Sequence, residues 1–551
     1  MDAAHVLQRL HFGRVDAESD YRLSQCFVGT DMLKQALTPQ HSLFIGAKGS
    51  GKSALFRLLC GDLSQWKTLL PKGYEVIFRI PATGLQSERY LSGVDLDELS
   101  PSTANDFRAF WLLYIGLKTA TTLVEDSRMQ TIVEHSTNPR VKQHYATLAR
   151  VVKILGLVEG STIEKLKQRI DSLMENQDQS EASAPVEVAR ALSVNFRNRT
   201  GMAIITLLDV IDALLQDTHC LSWILLDKLD LLFFDDVHRL HQSITGLVQL
   251  LVEYSDRFRN IHFKIFLRRD IYQQLRIVNK SHLISYTNEM RWRGPWLLKL
   301  LVARAISDPV VQTYCEERIG DKADVSAVIN GSDELVLSVF YSIFERSMGI
   351  IRREGFGSPT HRWVLKRLVD GLGMGFPREM IHLGNMAVAR QKELNRTKDG
   401  GAVLEGSLIS ARALRRAFDA VSEYRCETYL NAEFPHLRRH FDVFRGRETA
   451  VLLKTDLVKR FEQLDPAADE AVRTLYDVGL LLPIGKNPDS ALKFEIPLLY
   501  RSGLGIVERR GRRQRERRKV GVEKEQAVRP VAQKKDVVIA EDVNIPFPHS
   551  R

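Results

Sequence analysis

The segment His41-Ser42-Leu43-Phe44-Ile45-Gly46-Ala47-Lys48-Gly49-Ser50-Gly51-Lys52-Ser53-Ala54-Leu55-Phe56-Arg57-Leu58-Leu59-Cys60 decides the fold. His41 to Ile45 is a short apolar run that reads as a buried strand, and Ser53 to Cys60 has helical character. Between them, Gly46, Ala47, Lys48, Gly49, Ser50, Gly51, Lys52 and Ser53 spell G-x-x-x-x-G-K-S. Glycines let successive backbone N–H groups turn inward as an anion nest, and the helix that follows aims its positive end at the same place. The spacing therefore predicts a loop that cradles nucleotide phosphates. Lys52 is placed to reach the β- and γ-phosphates of ATP and Ser53 to ligate Mg²⁺.

Working outward, candidate strands alternate with helices, which is the pattern of an α/β domain with a parallel sheet and helices on both faces. Tyr74 to Ile80, Ser222 to Leu226, Ile261 to Leu267 and Leu283 to Trp292 read as further strands. Phe107 to Val124, Gly201 to Gln216 and the stretch from Asp236 to Phe258 read as helices. The strand ending Trp223-Ile224-Leu225-Leu226-Asp227 delivers a carboxylate where a phosphate site needs its second Mg²⁺ contact, so Asp227 joins Ser53 as a metal candidate. Lys228 follows it, where a water-polarising glutamate would be usual, and Asp230 is then the remaining candidate for orienting water; a helix N-cap or a surface acid is its other reading. Arg268 and Arg269 follow the strand Phe263 to Leu267, and either is placed to sense the γ-phosphate or to reach a neighbouring subunit. Gly375-Phe376-Pro377-Arg378 opens a helix, from which Arg378 is a further nucleotide contact.

The organisation expected is an ATPase core over residues 1–300 with a helical insertion at about 125–200, and an all-helical lid over 301–430. A winged helix-turn-helix follows over 431–505, and a basic, disordered tail over 506–551. The winged-helix outline is two short helices, Lys454 to Leu464 and Asp469 to Val478, followed by a hairpin of Leu480 to Ile484 and Ala491 to Ile496. The formal net charge of +10 is concentrated between Arg509 and Lys519, an electrostatic footprint suited to double-stranded DNA. Hydrophobic content of 44% and charged content of 26% are those of a soluble globular chain, and even Trp223 to Phe234, the most apolar stretch, is broken by charges. No membrane span or secretory signal is expected. The five dispersed cysteines form no metal-spaced set, which points to reduced thiols in the cytoplasm.

Taken together the four motifs resemble the AAA+/STAND branch of P-loop ATPases. The Asp227-x-x-Asp230 form, the arginine after the sensor strand, the Gly-x-Pro-Arg start at Gly375 to Arg378 and the trailing winged helix carry that resemblance. The opening, Phe12-Gly13, Ala17-Glu18 and Cys26-Phe27-Val28 ahead of Lys48 to Ala54, resembles a family of bacterial P-loop ATPases whose members often look like regulatory or anti-phage defence proteins. The resemblance implies that the segment before the loop packs on the adenine, giving Phe12 or Phe27 a role. It also implies a nucleotide-dependent switch; Lys228, a departure from the family pattern, makes a slow switch as compatible with the site as a motor. Two outputs follow: DNA association through the tail, or a protein-interaction scaffold that forms homo-oligomers on ATP and controls a separate effector protein. The helix Asp469 to Asp477 is poor in basic residues, which suits the second. No HExxH or cysteine–histidine signature points to a protease or nuclease of its own.

Overall fold

The computed structural model describes residues 1–39, 42–82, 102–155, 196–197, 200–233, 236–277, 280–320, 324–325, 328, 331–349, 358–396, 407–466, 468–485 and 487–506. The expected loop over Glu175 to Ser183, most of the expected insertion, and the Arg509–Lys519 tail lie outside the described residues. The chain divides into two compact units. One runs from Gly13 to Trp292 with Ser326–Ser332, and the other takes Met1–Phe12, Arg293–Val325 and the chain from Asp333 onward.

The first unit is built on a five-stranded parallel sheet: β1 (Leu43–Gly46), β2 (Val76–Pro81), β3 (Cys220–Leu226), β4 (Ile261–Arg268) and β5 (Thr287–Glu289), in spatial order β2-β3-β4-β1-β5. Alternate residues along a strand face opposite sides, and here both sides are covered. Leu43 and Ile45, Ile224 and Leu226, and Phe263, Ile265 and Leu267 join one apolar core with helices Ala104–Glu125, Ile204–Asp217 and Val237–Tyr254. Phe44, Trp223, Leu225 and Phe266 join the other, with helices Asp31–Ala36 and Lys52–Cys60. Coverage on both faces explains why β3 is an unbroken buried run rather than an alternating one. Helix Ala104–Glu125 starts at Thr103, whose hydroxyl accepts from the Asp106 N–H at 3.2 Å while the Asp106 carboxylate reaches back, a reciprocal cap that stops the first turn from fraying.

The last strand departs from the sequence reading. Leu283 to Trp292 contributes only Thr287–Glu289 to the sheet, because Lys280–Tyr286 forms a 3₁₀ turn and Gly294 already opens a helix. At the other end, β2 is shifted toward Pro81, a residue that needs no N–H partner at a strand end.

The second unit is mainly helical through Arg425, with helices Gly294–Ile306, Pro309–Ile319, Asp333–Ile343, Thr360–Arg367, Pro377–Arg396 and Ala411–Arg425. Its centre holds a buried ion pair, Arg425 to Glu379 at 2.7 Å, with the guanidinium 3.8 Å from the Tyr429 ring centre. Beyond it, β6 (Val451–Leu453), helices Lys454–Phe461 and Ala468–Asp477, β7 (Leu482–Pro483) and β8 (Lys493–Glu495) form a small antiparallel sheet of order β6-β8-β7. β6 is absent from the sequence reading; three residues carry too little periodicity to announce a strand, and it exists through pairing with β8.

Candidate functional site

The sheet order itself locates a crevice. After β1 the chain crosses toward β2 on one side, and after β4 it crosses over β1 to β5 on the other, so the connections of the adjacent strands β1 and β4 diverge. In open α/β sheets ligands bind at such a switch point, beyond the carboxyl ends of the strands. Gly46 at the end of β1 lies opposite Arg268 at the end of β4, and Asp227 follows the end of β3 next door.

The loop after β1 takes the shape its glycines permit. Gly49 and Gly51 adopt φ of 87° and 93°, a region costly to any residue with a Cβ. Gly46 is needed for room instead, since a Cβ there would fall 2.2 Å from the Ser50 hydroxyl oxygen. Lys52 is the first residue of helix Lys52–Cys60, with Gly51 as its N-cap. Its ammonium folds back onto the loop and donates to the carbonyls of Gly46 at 2.9 Å and Ala47 at 3.0 Å. Burial lowers its pKa to about 8, partly offset by the carboxylates of Asp227 and Asp230.

Asp227 is nearly fully buried and accepts a hydrogen bond from the Ser53 side chain. Burial raises its carboxyl above the ordinary value, against the opposing influence of Ser53, the Lys228 N–H and Lys52. The two oxygen ligands expected for a divalent cation thus already meet. Among the described residues no cluster of three or more His, Cys, Asp or Glu is arranged to hold a metal, so a cation here would rest on these two side chains and on oxygens of its ligand.

The neighbouring arginines separate. Arg268 lies 3.3 Å from Asp230 and 2.7 Å from Asp270, and its charge is felt at Lys52. Arg269 turns the other way and pairs with Glu289 of β5 at 3.0 Å. Asp230 sits in the 3₁₀ turn Leu229–Leu231, whose N-cap position belongs to Lys228, so its side chain serves Arg268 rather than a helix end. Around Lys52, then, stand two cations and three carboxylates: Lys52 and Arg268 against Asp227, Asp230 and Asp270.

Three contacts escape the sequence reading. Trp292, just after β5, donates its indole N–H to the Ser50 carbonyl at 2.8 Å and so braces the loop from the side. Arg57 of the loop helix donates to the carbonyls of Ala17 and Glu18, and the Glu18 carboxylate pairs with Lys228 at 2.9 Å. These tie the segment before the sheet to the site from both the loop helix and the β3 end. Phe27 packs at the edge of the Phe44–Trp223 core of this unit. Phe12 belongs to the other unit and is fully buried there, stacked on Phe344 at 6.1 Å and closely approaching Gly384, which makes it a packing residue. Arg378 lies in the first turn of helix Pro377–Arg396, also in the other unit.

No helix among the described residues is long and apolar enough to cross a membrane. Compared with known proteins, the sequence matches no protein-family model, and it has no match among curated proteins.

Proposed function

We propose that this chain is a P-loop ATPase of the AAA+/STAND type, which binds Mg-ATP at the crevice between β1 and β4, hydrolyses it slowly and uses the two states as a switch. The observation that carries this reading is the convergence of Lys52, Ser53, Asp227 and Arg268 on the glycine-lined loop at the switch point of the sheet. In this reading the backbone N–H groups of Gly46 to Ser53 take the phosphates, and Lys52 leaves its carbonyl partners to reach the β- and γ-oxygens. Ser53 and Asp227 would hold Mg²⁺, which would supply charge neutralisation for the phosphates.

Asp230 orients Arg268, and Arg268 is the group whose partners change when a γ-phosphate arrives. A ligand shifts a switch only by binding its two states differently. Exchange of the Asp230 and Asp270 carboxylates for a phosphate at Arg268 is the difference this site offers. The Asp227-Lys228 pair, without the usual glutamate, supports slow turnover. The proposed output faces double-stranded DNA, supported by the basic run Arg509–Lys519, and the order β6, two helices, β7, β8 supports a winged-helix module in the second unit.

The test is Mg²⁺-dependent ATP binding and hydrolysis by the purified chain, with and without duplex DNA, beside Lys52→Ala and Asp227→Ala. Saturable binding that Lys52→Ala abolishes, with turnover lost in both variants, is expected. Absence of nucleotide binding by the unaltered chain would sink the reading. A turnover indifferent to DNA, with ATP-driven self-association, would move the output to a protein scaffold.

A further inference from the structure

The helix Thr360–Arg367 of the second unit reads THRWVLKR and contains no acid. Val364 faces the core, while Arg362 and Lys366, one turn apart, share an exposed face. Neither makes an ion pair with another described residue. Arg367 lies over the Trp363 ring at 4.1 Å, and Trp363 in turn packs edge-on against Phe418 of helix Ala411–Arg425 at 5.6 Å. That second helix is basic where a helix favours acids: Arg412, Arg415 and Arg416 are exposed in its first two turns, and no acid precedes Asp419. Arg415 and Arg501 both lie close enough to act on the Arg367 guanidinium, with Asp419 as the opposing charge. Like charges held together on a surface cost stability; Arg367 has a packing role against Trp363 and Phe418, whereas Arg362, Lys366 and Arg415 are exposed.

From this placement we propose that the face carrying Arg362, Lys366, Arg367 and Arg415 binds the phosphate backbone of a nucleic-acid duplex. It rests on the DNA-facing output proposed above and gives that output a surface among the described residues. The packed aromatics distinguish duplex from single strand. Trp363 is packed against Arg367 and Phe418, so stacking an unpaired base on it would compete with those contacts. Guanidinium forks suit phosphate oxygens, and contacts of this kind position a duplex without reading its sequence. A membrane surface is disfavoured, because the only large apolar side chain exposed on these two helices is Tyr424, at the far end of the second.

The experiment is titration of a fluorescent mixed-sequence duplex with the full-length protein, without nucleotide, across a salt series. The triple variant Arg362→Gln, Lys366→Gln, Arg415→Gln is expected to lose roughly tenfold or more in affinity, and the slope of log K against log salt to shrink by about 2.7. Asp419→Asn, which removes the opposing charge, is expected to tighten binding. Arg362→Lys with Arg415→Lys keeps the charges and should retain most of the affinity. A second full-length variant, with Arg509, Arg510, Arg512 and Arg513 changed to Gln, separates the tail. If that variant alone loses binding while the triple variant keeps its affinity and slope, the proposal is overturned. It is equally overturned if the unaltered protein binds phosphatidylserine vesicles and not the duplex. ATP binding by the triple variant, compared with Lys52→Ala, separates failure of this surface from failure of the nucleotide reading.

Discussion

The Lys228 ammonium lies 2.9 Å from the Glu18 carboxylate, so the cation that follows Asp227 reaches the segment preceding the sheet. Its backbone is unusual for a lysine, with φ of 57° in the left-handed region. Sequence alone presents Lys228 as a positive charge in the position of a catalytic acid. The structure instead makes it one end of a tie, with Arg57 forming a second tie to the same segment.

That geometry sets opposing terms at one residue. The ion pair is well exposed at both ends, 42% and 46%, and such pairs contribute about 0.2–1 kcal/mol. Left-handed backbone at a residue with a Cβ costs roughly 1–2 kcal/mol. Lys228→Gly removes both and adds glycine's entropic cost of roughly 0.5–1 kcal/mol, so denaturant unfolding should place it within about 1 kcal/mol of the parent chain, with Glu18→Gln losing less than about 1 kcal/mol. A loss of several kcal/mol in Lys228→Gly would mean that the tie holds more of the fold than the exposed pair accounts for.

Much of this was legible from residues, for identifiable reasons. β1, β3 and β4 are buried on both faces, so their apolar runs stand out, and a glycine-rich loop between a strand and a helix carries its own punctuation. What stayed hidden depends on pairing across long separations. Period-two alternation says that Arg268 and Arg269 face opposite ways, but only the register against β1 and β5 tells which one meets Asp230. Trp292 and Ser50 are 242 positions apart and Arg57 and Ala17 are 40 apart, distances over which no local pattern speaks.

The separation of the arginines predicts unequal effects. Arg268→Ala leaves Asp230 and Asp270 facing each other beside Lys52 and removes the cation that pairs with both. ATP turnover should fall about 10²-fold, the scale for losing one preorganised charge contact to a transferring phosphoryl group. Arg269→Ala breaks a pair with Glu289, which keeps Arg291 as a partner at 2.6 Å, so turnover should change less than about threefold. Steady-state kinetics on the two variants decide the matter, and equal losses would refute the assignment of Arg268.

Trp292 offers a direct optical test of the loop. Its N–H fixes the Ser50 carbonyl, and a Cβ on Gly51 would come within 3.8 Å of the indole ring. Trp292→Phe removes a hydrogen bond worth about 0.5–1.5 kcal/mol, so ATP affinity should drop by up to roughly tenfold if the loop loses its bound shape. ATP is expected to change the tryptophan fluorescence of the parent chain, and the same variant should lose that change. Persistence of that change in Trp292→Phe would assign the signal to one of the other five of the chain's 6 tryptophans and detach Trp292 from the site.

Lys264 predicts how stability varies with pH. It sits in β4 with no exposed surface, its ammonium 5.5 Å from the Trp223 ring centre and donating to the Thr38 carbonyl. Burial lowers its pKa from 10.5 to about 7. Below the lowered value the lysine is charged in both folded and unfolded chains, and the folded state bears the full burial penalty. Between about 7 and 10.5 the unfolded chain holds a proton that the folded chain has shed, so stability rises with pH, with a slope approaching about 1.4 kcal/mol per pH unit. Lys52, lowered to about 8, adds the same sign from that point upward. Replacing a buried charge by an apolar side chain of similar length is often neutral or stabilising, so Lys264→Met should match or exceed the parent near neutral pH. It should also lose the rise between about 7 and 8, where Lys264 titrates first. Urea unfolding of both chains across this range reads the difference directly. Parallel curves for parent and Lys264→Met would show that Lys264 keeps its proton inside the sheet.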